Sequence, residues 1–154
     1  MIITFGIASY NSAKNLLLTI KTIKKTMNNY KNCSYEVIIV DDNSTDNTKY
    51  KLKDIKKTNV KYFKNSSRLG FGKSILKAAN LGKGKFFKII HSGNIENSKE
   101  LNIYINNINK YSIFIPYILD RRIFYRKFLS KFCTLIFNLV SGKNLKYYQS
   151  PLMC

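Results

Sequence analysis

The stretch YEVIIVDDNSTDNT, residues 35–48, decides the fold class of this protein. Its first half is a continuous run rich in β-branched residues, which is typical of a strand buried on both faces of a parallel sheet. The run ends at Asp41, and the polar residues 43–46 are typical of a turn that caps a following helix. This stretch therefore predicts a strand, a turn and a helix that reaches about residue 57.

The same alternation continues on both sides of this stretch. Short apolar runs predict strands at residues 2–8, 60–63, 86–90 and 112–118. Apolar residues at helical spacing predict helices around residues 16–27, 75–79, 98–109 and 121–141. Strands that alternate with helices predict an α/β fold, with a mostly parallel sheet, right-handed crossovers and helices on both faces.

Polar residues follow three of the predicted strands, at residues 9–11, 41–44 and 91–94. Open α/β sheets bind ligands at the carboxyl ends of their strands, so these segments form the candidate site. Three of the eight acidic residues, Asp41, Asp42 and Asp46, lie close together here. Such carboxylates can accept hydrogen bonds from a base imide or from ribose hydroxyls, or can help to hold a divalent cation. The alternative is that Asp42 and Asp46 only cap the turn and the helix.

Length and composition favour one globular domain. The chain has 154 residues, of which 45% are hydrophobic and 23% charged, so we exclude a disordered or fibrous protein. No apolar run reaches the ~18 residues of a membrane span, and the first residues lack the basic flank of a signal peptide. Three widely spaced cysteines give no metal-ligand pattern and suit a reducing compartment. We therefore expect a cytoplasmic protein.

The net charge is +19, from 27 basic and 8 acidic residues. An excess of this size predicts an anionic partner, such as nucleic acid, an anionic membrane surface or a phosphorylated ligand. The alternative is compositional bias, because lysine, asparagine and isoleucine are all abundant here and are the residues that A/T-rich coding sequences favour. Arginine is scarce and no groove-reading motif is present, so nucleic acid is the least favoured partner.

Two motifs together resemble those of the family 2 glycosyltransferases, which have the GT-A fold. The first predicted strand ends in Tyr10 and Asn11, and the second ends in Val-Asp-Asp-x-Ser-x-Asp, as in that family. The family's Asn-x-Gly-x-Gly loop is similar to NSSRLGFGKS at residues 65–74, whose glycines allow a close approach to a ligand. This loop lacks the spacing of a Walker-type phosphate loop.

The resemblance implies an enzyme that moves a sugar from a nucleoside diphosphate sugar to an acceptor, with inversion. It implies one domain, residues 1–154, with a nucleotide-binding half (1–90) and an acceptor-side half (91–154). The two aspartates would hold the base and the ribose, and Arg68 and Lys73 would face the diphosphate. The expected nucleotide-sugar-binding residues are Tyr10, Asn11, Asp41, Asp42, Ser44, Arg68, Gly70, Gly72 and Lys73.

The resemblance also implies Mg²⁺ or Mn²⁺, held by an Asp-x-Asp motif after the fourth strand. The matching residues here are Ser92-Gly93-Asn94, so both carboxylates are replaced, and Glu96 follows. Asn94 and Glu96 are the expected catalytic residues and a weak metal site. Three alternatives stay open: weak metal binding that also uses Asp42, replacement of the metal by basic residues of the glycine loop, and an inactive enzyme. The only histidine, His91, borders this segment, either as a ligand or acid or as a structural residue.

Residues 121–141 predict an amphipathic helix, with a stripe of large apolar side chains beside a cluster of basic residues. One interpretation is a core-facing helix with a solvated basic face, and the other is a helix on a membrane surface. The region resembles the acceptor side of polyprenyl-phosphate-type enzymes of the family. The expected acceptor-side residues are Arg122, Arg126, Tyr147 and Tyr148.

The acceptor stays open between a polyprenyl phosphate, a glycan and a protein, and an ionised phosphate would need no general base. The resemblance implies a role in cell-envelope glycan synthesis, with peripheral contact at the inner face of a membrane. Relatives usually extend further, so we expect a C-terminally shortened chain. Two rival functions remain: a catalytically inactive nucleotide-binding relative, and a basic nucleic-acid-binding domain.

Overall fold

The computed structural model of the protein describes residues 2–52, 59–110, 124–142 and 144. The described residues up to 110 belong to one compact unit, and those from 124 onward belong to a second. The first unit contains β1 (Ile2–Ser9), α1 (Ala13–Met27), β2 (Ser34–Asp41), α2 (Thr48–Lys51), β3 (Val60–Lys64), α3 (Phe71–Leu81), β4 (Phe86–His91) and α4 (Ser98–Asn107). The second unit contains α5 (Phe124–Ser141).

The four described strands form one parallel sheet in the order β3-β2-β1-β4. At its centre, Ile7 of β1 lies in register between Ile39 of β2 and Ile90 of β4. The chain moves outward from β1 to β3 and then returns to the other side of β1, so the order reverses between β1 and β4. The carboxyl ends of the strands at such a switch point are where open α/β sheets bind ligands.

Helices cover both faces of the sheet. On one face, α1 and α4 pack on the larger core, which contains Ile3, Phe5, Ile7, Leu16, Ile20, Ile23, Leu101 and Ile105. On the other face, Ala78 of α3 packs with Ile38 and Val40 of β2. On this second face, a Cβ at Gly6 would lie 2.2 Å from Cζ of the Phe87 ring, so any larger residue there would force that ring to move.

The predicted α/β fold, with a parallel sheet and helices on both faces, is confirmed. The predicted strands at residues 2–8, 35–40, 60–63 and 86–90 correspond to β1–β4. Helix α2 is described only for Thr48–Lys51, and residues 53–58 lie outside the described part of the chain. The predicted strand at residues 112–118 also lies outside it.

Helix α5 exposes large apolar side chains along its described length. Phe128 is 64% exposed and Leu139 is 75% exposed, and Phe132 and Leu135 of the same predicted stripe are also exposed. The core-facing and the membrane-surface interpretations of this helix both stay predictions. Across the described residues, no helix combines the length and the apolar character needed to cross a membrane.

Candidate functional site

Asparagines with a left-handed backbone follow three of the strands that form the candidate site. Asn11, Asn43 and Asn94 follow β1, β2 and β4, with φ angles of 46°, 64° and 54°. No other described non-glycine residue has a positive φ. Asparagine tolerates this region better than most residues, because its short polar side chain can hydrogen-bond locally. Each asparagine therefore lets the chain turn sharply beside a strand end.

The loops after β1 and β2 are joined by hydrogen bonds. Oδ1 of Asn11 accepts one from the backbone amide of Thr45 at 2.9 Å, and the Asn11 amide donates to Oγ of Ser44 at 2.9 Å. Oδ2 of Asp46 accepts one from the Ala13 amide at the start of α1, at 3.2 Å. Burial raises the pKa of Asp46, but its hydrogen bonds outweigh burial and the pKa lies below its usual value. The two loops therefore behave as one unit.

Asp41 is almost completely buried, with 1% of its surface exposed. Its Oδ1 accepts hydrogen bonds from the Ser44 amide at 2.8 Å and from Oγ of Ser44 at 2.5 Å, and its Oδ2 accepts one from the Tyr62 hydroxyl. Burial and the nearby Asp41 carboxylate raise the pKa of Tyr62. The structure therefore joins two expected site residues, Asp41 and Ser44, and adds Tyr62, which the sequence did not identify.

The Asp42 carboxylate is also buried, at 4% exposure, and it accepts four hydrogen bonds. The donors are the amides of Leu69 and Gly70, both at 2.8 Å, Nδ2 of Asn65 at 3.0 Å and Oγ of Ser74 at 3.1 Å. Burial raises the pKa of Asp42, but these hydrogen bonds outweigh it, so the pKa lies below its usual value. Asp42 therefore fastens the glycine loop, residues 65–72, to the end of β2.

The glycine loop brings Arg68 to Tyr10. The Arg68 guanidinium carbon lies 4.0 Å from the centroid of the Tyr10 ring, which is a cation–π contact. Both side chains are exposed. Gly70 has a φ of 88°, which favours glycine, and Lys73 is exposed in the first turn of α3. The expected residues of the glycine loop and of the β1 end therefore meet at one edge of the sheet.

An aromatic stack links the first turn of α3 to the end of β4. The Phe71 and His91 rings are nearly parallel, at 12°, with centroids 5.9 Å apart. Phe71 is 53% exposed. The sequence indicates His91 as a residue near the site but not Phe71. The position of Phe71 between two glycines of the loop could have indicated it.

The expected catalytic residues, in the loop after β4, both have partners inside the protein. Oδ1 of Asn94 accepts a hydrogen bond from Oγ1 of Thr22 at 3.2 Å. Oε1 of Glu96 lies 3.0 Å from Nζ of Lys88, whose side chain is fully buried and whose ammonium lies 4.0 Å from the Tyr104 ring centroid. Burial lowers the pKa of Lys88 more than the Glu96 carboxylate raises it. The sequence had not identified Lys88.

The donor atoms at this edge do not fit a divalent metal. In the part of the chain that the structure describes, no three His, Cys, Asp or Glu side chains come together as a metal site. Mg²⁺ and Mn²⁺ prefer charged oxygen ligands. The described carboxylates all have hydrogen-bond or ion-pair partners: Glu36, Asp41, Asp42, Asp46, Glu96 and Glu100.

The remaining expected site residues are one glycine of the glycine loop and the four acceptor-side residues. Gly72 lies in the first turn of α3, and no atom lies within 4 Å of the position of a Cβ there. Arg122, Tyr147, Tyr148 and the side chain of Arg126 lie outside the described part of the chain.

An open cleft of about 380 Å³ lies at the starts of α1 and α2. It is lined by Asn11, Ser12, Ala13, Lys14, Asn15, Asp46, Asn47 and Lys51.

Solved glycosyltransferase structures resemble this chain. Residues 1–349 of S. aureus TarS align over 80% of this chain and 38% of that one, with 22% identity and a TM-score of 0.62. The same protein in complex with UDP-GlcNAc aligns over 80% and 37%, with 22% identity and a TM-score of 0.59. Mannosyltransferase PcManGT from Pyrobaculum calidifontis, in complex with GDP-Man and Mn²⁺, aligns over 59% and 27%, with 20% identity and a TM-score of 0.53.

These likenesses support the GT-A-like α/β fold, and the chain spans well under half the length of each of these structures. No curated protein matches the chain. The family described as "Glycosyl transferase family 2" matches residues 4–117, which is well over half of the chain and includes most of β1 and all of β2–β4. The chain therefore belongs to the family 2 glycosyltransferases.

Proposed function

We propose that this chain binds a nucleoside diphosphate sugar at the carboxyl ends of β1, β2 and β4 and transfers the sugar to an acceptor, with inversion. The observation that carries the proposal is the position of the glycine loop. Asp42 holds this loop by hydrogen bonds, and the Arg68 guanidinium lies over the Tyr10 ring at this edge of the sheet. Family membership supports the reaction class. Two of the similar structures contain UDP-GlcNAc and GDP-Man, which supports the class of donor.

The proposed nucleoside side of the site lies at the ends of β1 and β2. Tyr10, Asn11, Asp41 and Ser44 are held there by their mutual hydrogen bonds and by the Arg68 contact. The Tyr10 ring is 40% exposed and can take part in stacking. Asp41 and Asp42 are both buried, and donors already occupy the oxygens of both carboxylates. We assign Asp41 the role of holding the turn at Ser44, and Asp42 the role of shaping the glycine loop.

The proposed diphosphate side consists of Arg68, Lys73 and the backbone at Gly72, because the amide of Gly70 already donates to Asp42. A guanidinium can donate two parallel hydrogen bonds to phosphate oxygens, and a lysine supplies a mobile charge. The first amides of α3 have no partner within the helix, and a helix N-terminus favours anions. These groups would stabilise the diphosphate as it departs with its developing charge.

We propose a lipid phosphate, such as a polyprenyl phosphate, as the acceptor. The net charge of +19 favours an anionic bilayer, at about 1 kcal/mol for each basic residue near the surface. A phosphate is already ionised at neutral pH, so it needs no general base. Helix α5 exposes Tyr125, Phe128, Leu129, Phe132, Leu135, Ile136, Phe137, Leu139 and Val140.

In this proposal the enzyme works at the cytoplasmic face of a membrane, in the synthesis of a cell-envelope glycan. Arg122, Arg126, Tyr147 and Tyr148 would contribute to the acceptor side. The exposed apolar side chains of α5 would enter the interface between the headgroups and the acyl chains, as amphipathic surface helices do.

A transfer assay tests the proposal. The purified chain is incubated with radiolabelled UDP- and GDP-sugars and polyprenyl phosphate in mixed micelles, and label is measured in the lipid phase. We expect label from one donor, and we expect Arg68→Ala to lower the rate by about 100-fold. Lys31→Ala removes an exposed charge at the opposite edge of the sheet and should stay within about twofold of the wild type.

The second candidate is a catalytically inactive nucleotide-binding protein. Its support is the replacement of both expected carboxylates by Ser92 and Asn94, together with the ion pair that engages Glu96. This candidate predicts nucleotide binding without sugar transfer, both in the wild type and in the double variant Ser92→Asp/Asn94→Asp.

A further inference from the structure

The loop between β4 and α4, residues 92–97, contains one carboxylate, and that carboxylate already has a cation. Oε1 of Glu96 lies 3.0 Å from Nζ of Lys88, a residue of β4. The Lys88 side chain is fully buried and the Glu96 side chain is 10% exposed, so the pair lies beneath the protein surface. The Lys88 ammonium also lies over the Tyr104 ring of α4. The fold therefore supplies a fixed positive charge to this loop.

The two charged groups depend on each other. Within the described residues, neither the Lys88 ammonium nor the Glu96 carboxylate has a further hydrogen-bond partner. A buried charge that loses its counter-charge is costly. A divalent cation that used Glu96 as a ligand would deprive Lys88 of its counter-charge and would be repelled by the nearby ammonium. The pair therefore opposes metal binding at Glu96.

The other oxygens at this edge are also engaged. Oδ1 of Asn94 accepts from Thr22, and the Asp42 carboxylate has four donors. A metal would have to displace donors from Asp42, and at Asn94 it would find only a neutral oxygen with one lone pair left, which is a poor ligand for a hard dication without a charged partner. By contrast, Arg68 and Lys73 are exposed at the same edge, where cations can meet a diphosphate.

We infer that this chain binds the diphosphate of its nucleotide without a divalent metal. Lys88 is the counter-charge of Glu96, and Arg68, Lys73 and the first amides of α3 supply the positive charge that the diphosphate needs. The part of the inference that concerns the nucleotide rests on the proposed function. The part that concerns metal binding can be tested on the protein without a nucleotide.

The first experiment is a calorimetric titration of the full chain with UDP and with GDP, once in EDTA and once in Mn²⁺. We expect dissociation constants for the bound nucleotide that agree within about twofold in the two buffers. A dissociation constant at least about tenfold lower in Mn²⁺ would overturn the inference. Absence of binding in both buffers would refute the proposed function, and the metal question would then be decided by the second experiment.

The second experiment measures Mn²⁺ binding to the protein alone, from the electron paramagnetic resonance signal of free aqueous Mn²⁺. We expect the wild type and Glu96→Gln to leave this signal undiminished. The variant Ser92→Asp/Asn94→Asp, which restores two carboxylates, should reduce the signal and so serves as a positive control. The inference is wrong if the wild type depletes the signal and Glu96→Gln, but not Glu100→Gln, abolishes that depletion.

Discussion

The Asp42 carboxylate accepts hydrogen bonds from three residues of the glycine loop and from one residue in the first turn of α3. Other carboxylates of the first unit have similar roles. Asp46 accepts a hydrogen bond from the amide at the start of α1. Glu36 accepts one from Oγ1 of Thr4 at 2.8 Å and one from the amide of Lys83, which lies between α3 and β4. The chain has few acidic residues, and the described carboxylates fix the positions of loops. Basic side chains therefore remain available to bind an anionic ligand.

We predict that Asp42→Asn lowers the free energy of unfolding by about 2–3 kcal/mol at neutral pH, because one amide oxygen cannot accept from four donors. The folded-state pKa of Asp42 lies below its usual value. Its contribution to stability is therefore complete above the unfolded-state pKa of about 4 and is lost as the pH falls through the folded-state pKa. Urea unfolding should show a smaller loss of stability in acid for the variant than for the wild type. Parallel pH profiles would contradict this role.

The pair of Lys88 and Glu96 allows a double-mutant test. Glu96→Gln should lower the free energy of unfolding by about 3 kcal/mol, because it leaves a buried ammonium without its counter-charge. Adding Lys88→Met should recover most of this loss. Glu100→Gln removes an exposed carboxylate of the α4 capping box and should cost only about 0.5–1 kcal/mol. Equal losses in the two glutamine variants, measured by urea unfolding, would argue against the buried pair.

At the scale of elements, the strands could be predicted because buried parallel strands have a continuous apolar pattern that is visible locally. Strand β2 (Ser34–Asp41) differs from the predicted residues 35–40 by one residue at each end. The helix that follows is predicted to reach about residue 57 and is described only for Thr48–Lys51, so its predicted end stays a prediction. The sequence also placed the three loop segments of the site correctly at the strand ends.

The contacts inside the site could not be predicted, because they join residues that are far apart in the chain. The Arg68 contact with Tyr10 depends on the path of the glycine loop, which Asp42 determines. The partner of Glu96 was missed for the same reason. A signal for it existed, since Lys88 interrupts the apolar run FFKII, and a lysine in a buried strand requires a counter-charge.

The two glycines of the glycine loop should respond differently when each is replaced by alanine. Gly70 has a φ of 88°, so Gly70→Ala should destabilise the protein by about 1–2 kcal/mol through backbone strain, although no atom crowds a Cβ there. Gly72 lies in α3 without a positive φ, so Gly72→Ala should raise stability by up to about 1 kcal/mol through helix propensity. Thermal unfolding measures both variants, and effects of the same sign would contradict the described loop geometry.

At the scale of the whole molecule, the positive charge and the exposed apolar residues of α5 favour the same partner. The net charge of +19 attracts anionic surfaces in general, and exposed Phe128, Phe132 and Leu139 suit an acyl environment. A nucleic acid would be attracted by the positive charge, but its binding would leave the apolar side chains of α5 exposed to water. The positive charge and the exposed apolar side chains together therefore favour an anionic membrane surface.

We predict that the chain binds vesicles containing phosphatidylglycerol, binds pure phosphatidylcholine vesicles weakly, and is released by salt. The triple variant Phe128→Ala/Phe132→Ala/Leu139→Ala should weaken sedimentation with vesicles by at least about tenfold. Its melting temperature should not change, because these side chains are exposed. Leu76→Ala/Ile103→Ala, which truncates exposed apolar residues of α3 and α4, is the matched control. An equal loss in that control would show that α5 is not the contacting element.

The most direct measurement is an NMR titration of the backbone amides with UDP and GDP in the presence of EDTA. We predict that one nucleotide shifts the amide signals of Tyr10, Asn11, Ser44 and residues 68–73 the most, because these residues line the carboxyl ends of β1 and β2 and the start of α3. Signals at the amino ends of the strands, such as that of Tyr35, should stay in place. The absence of shifts with either nucleotide, or the largest shifts at the amino ends, would contradict a nucleotide site at this edge.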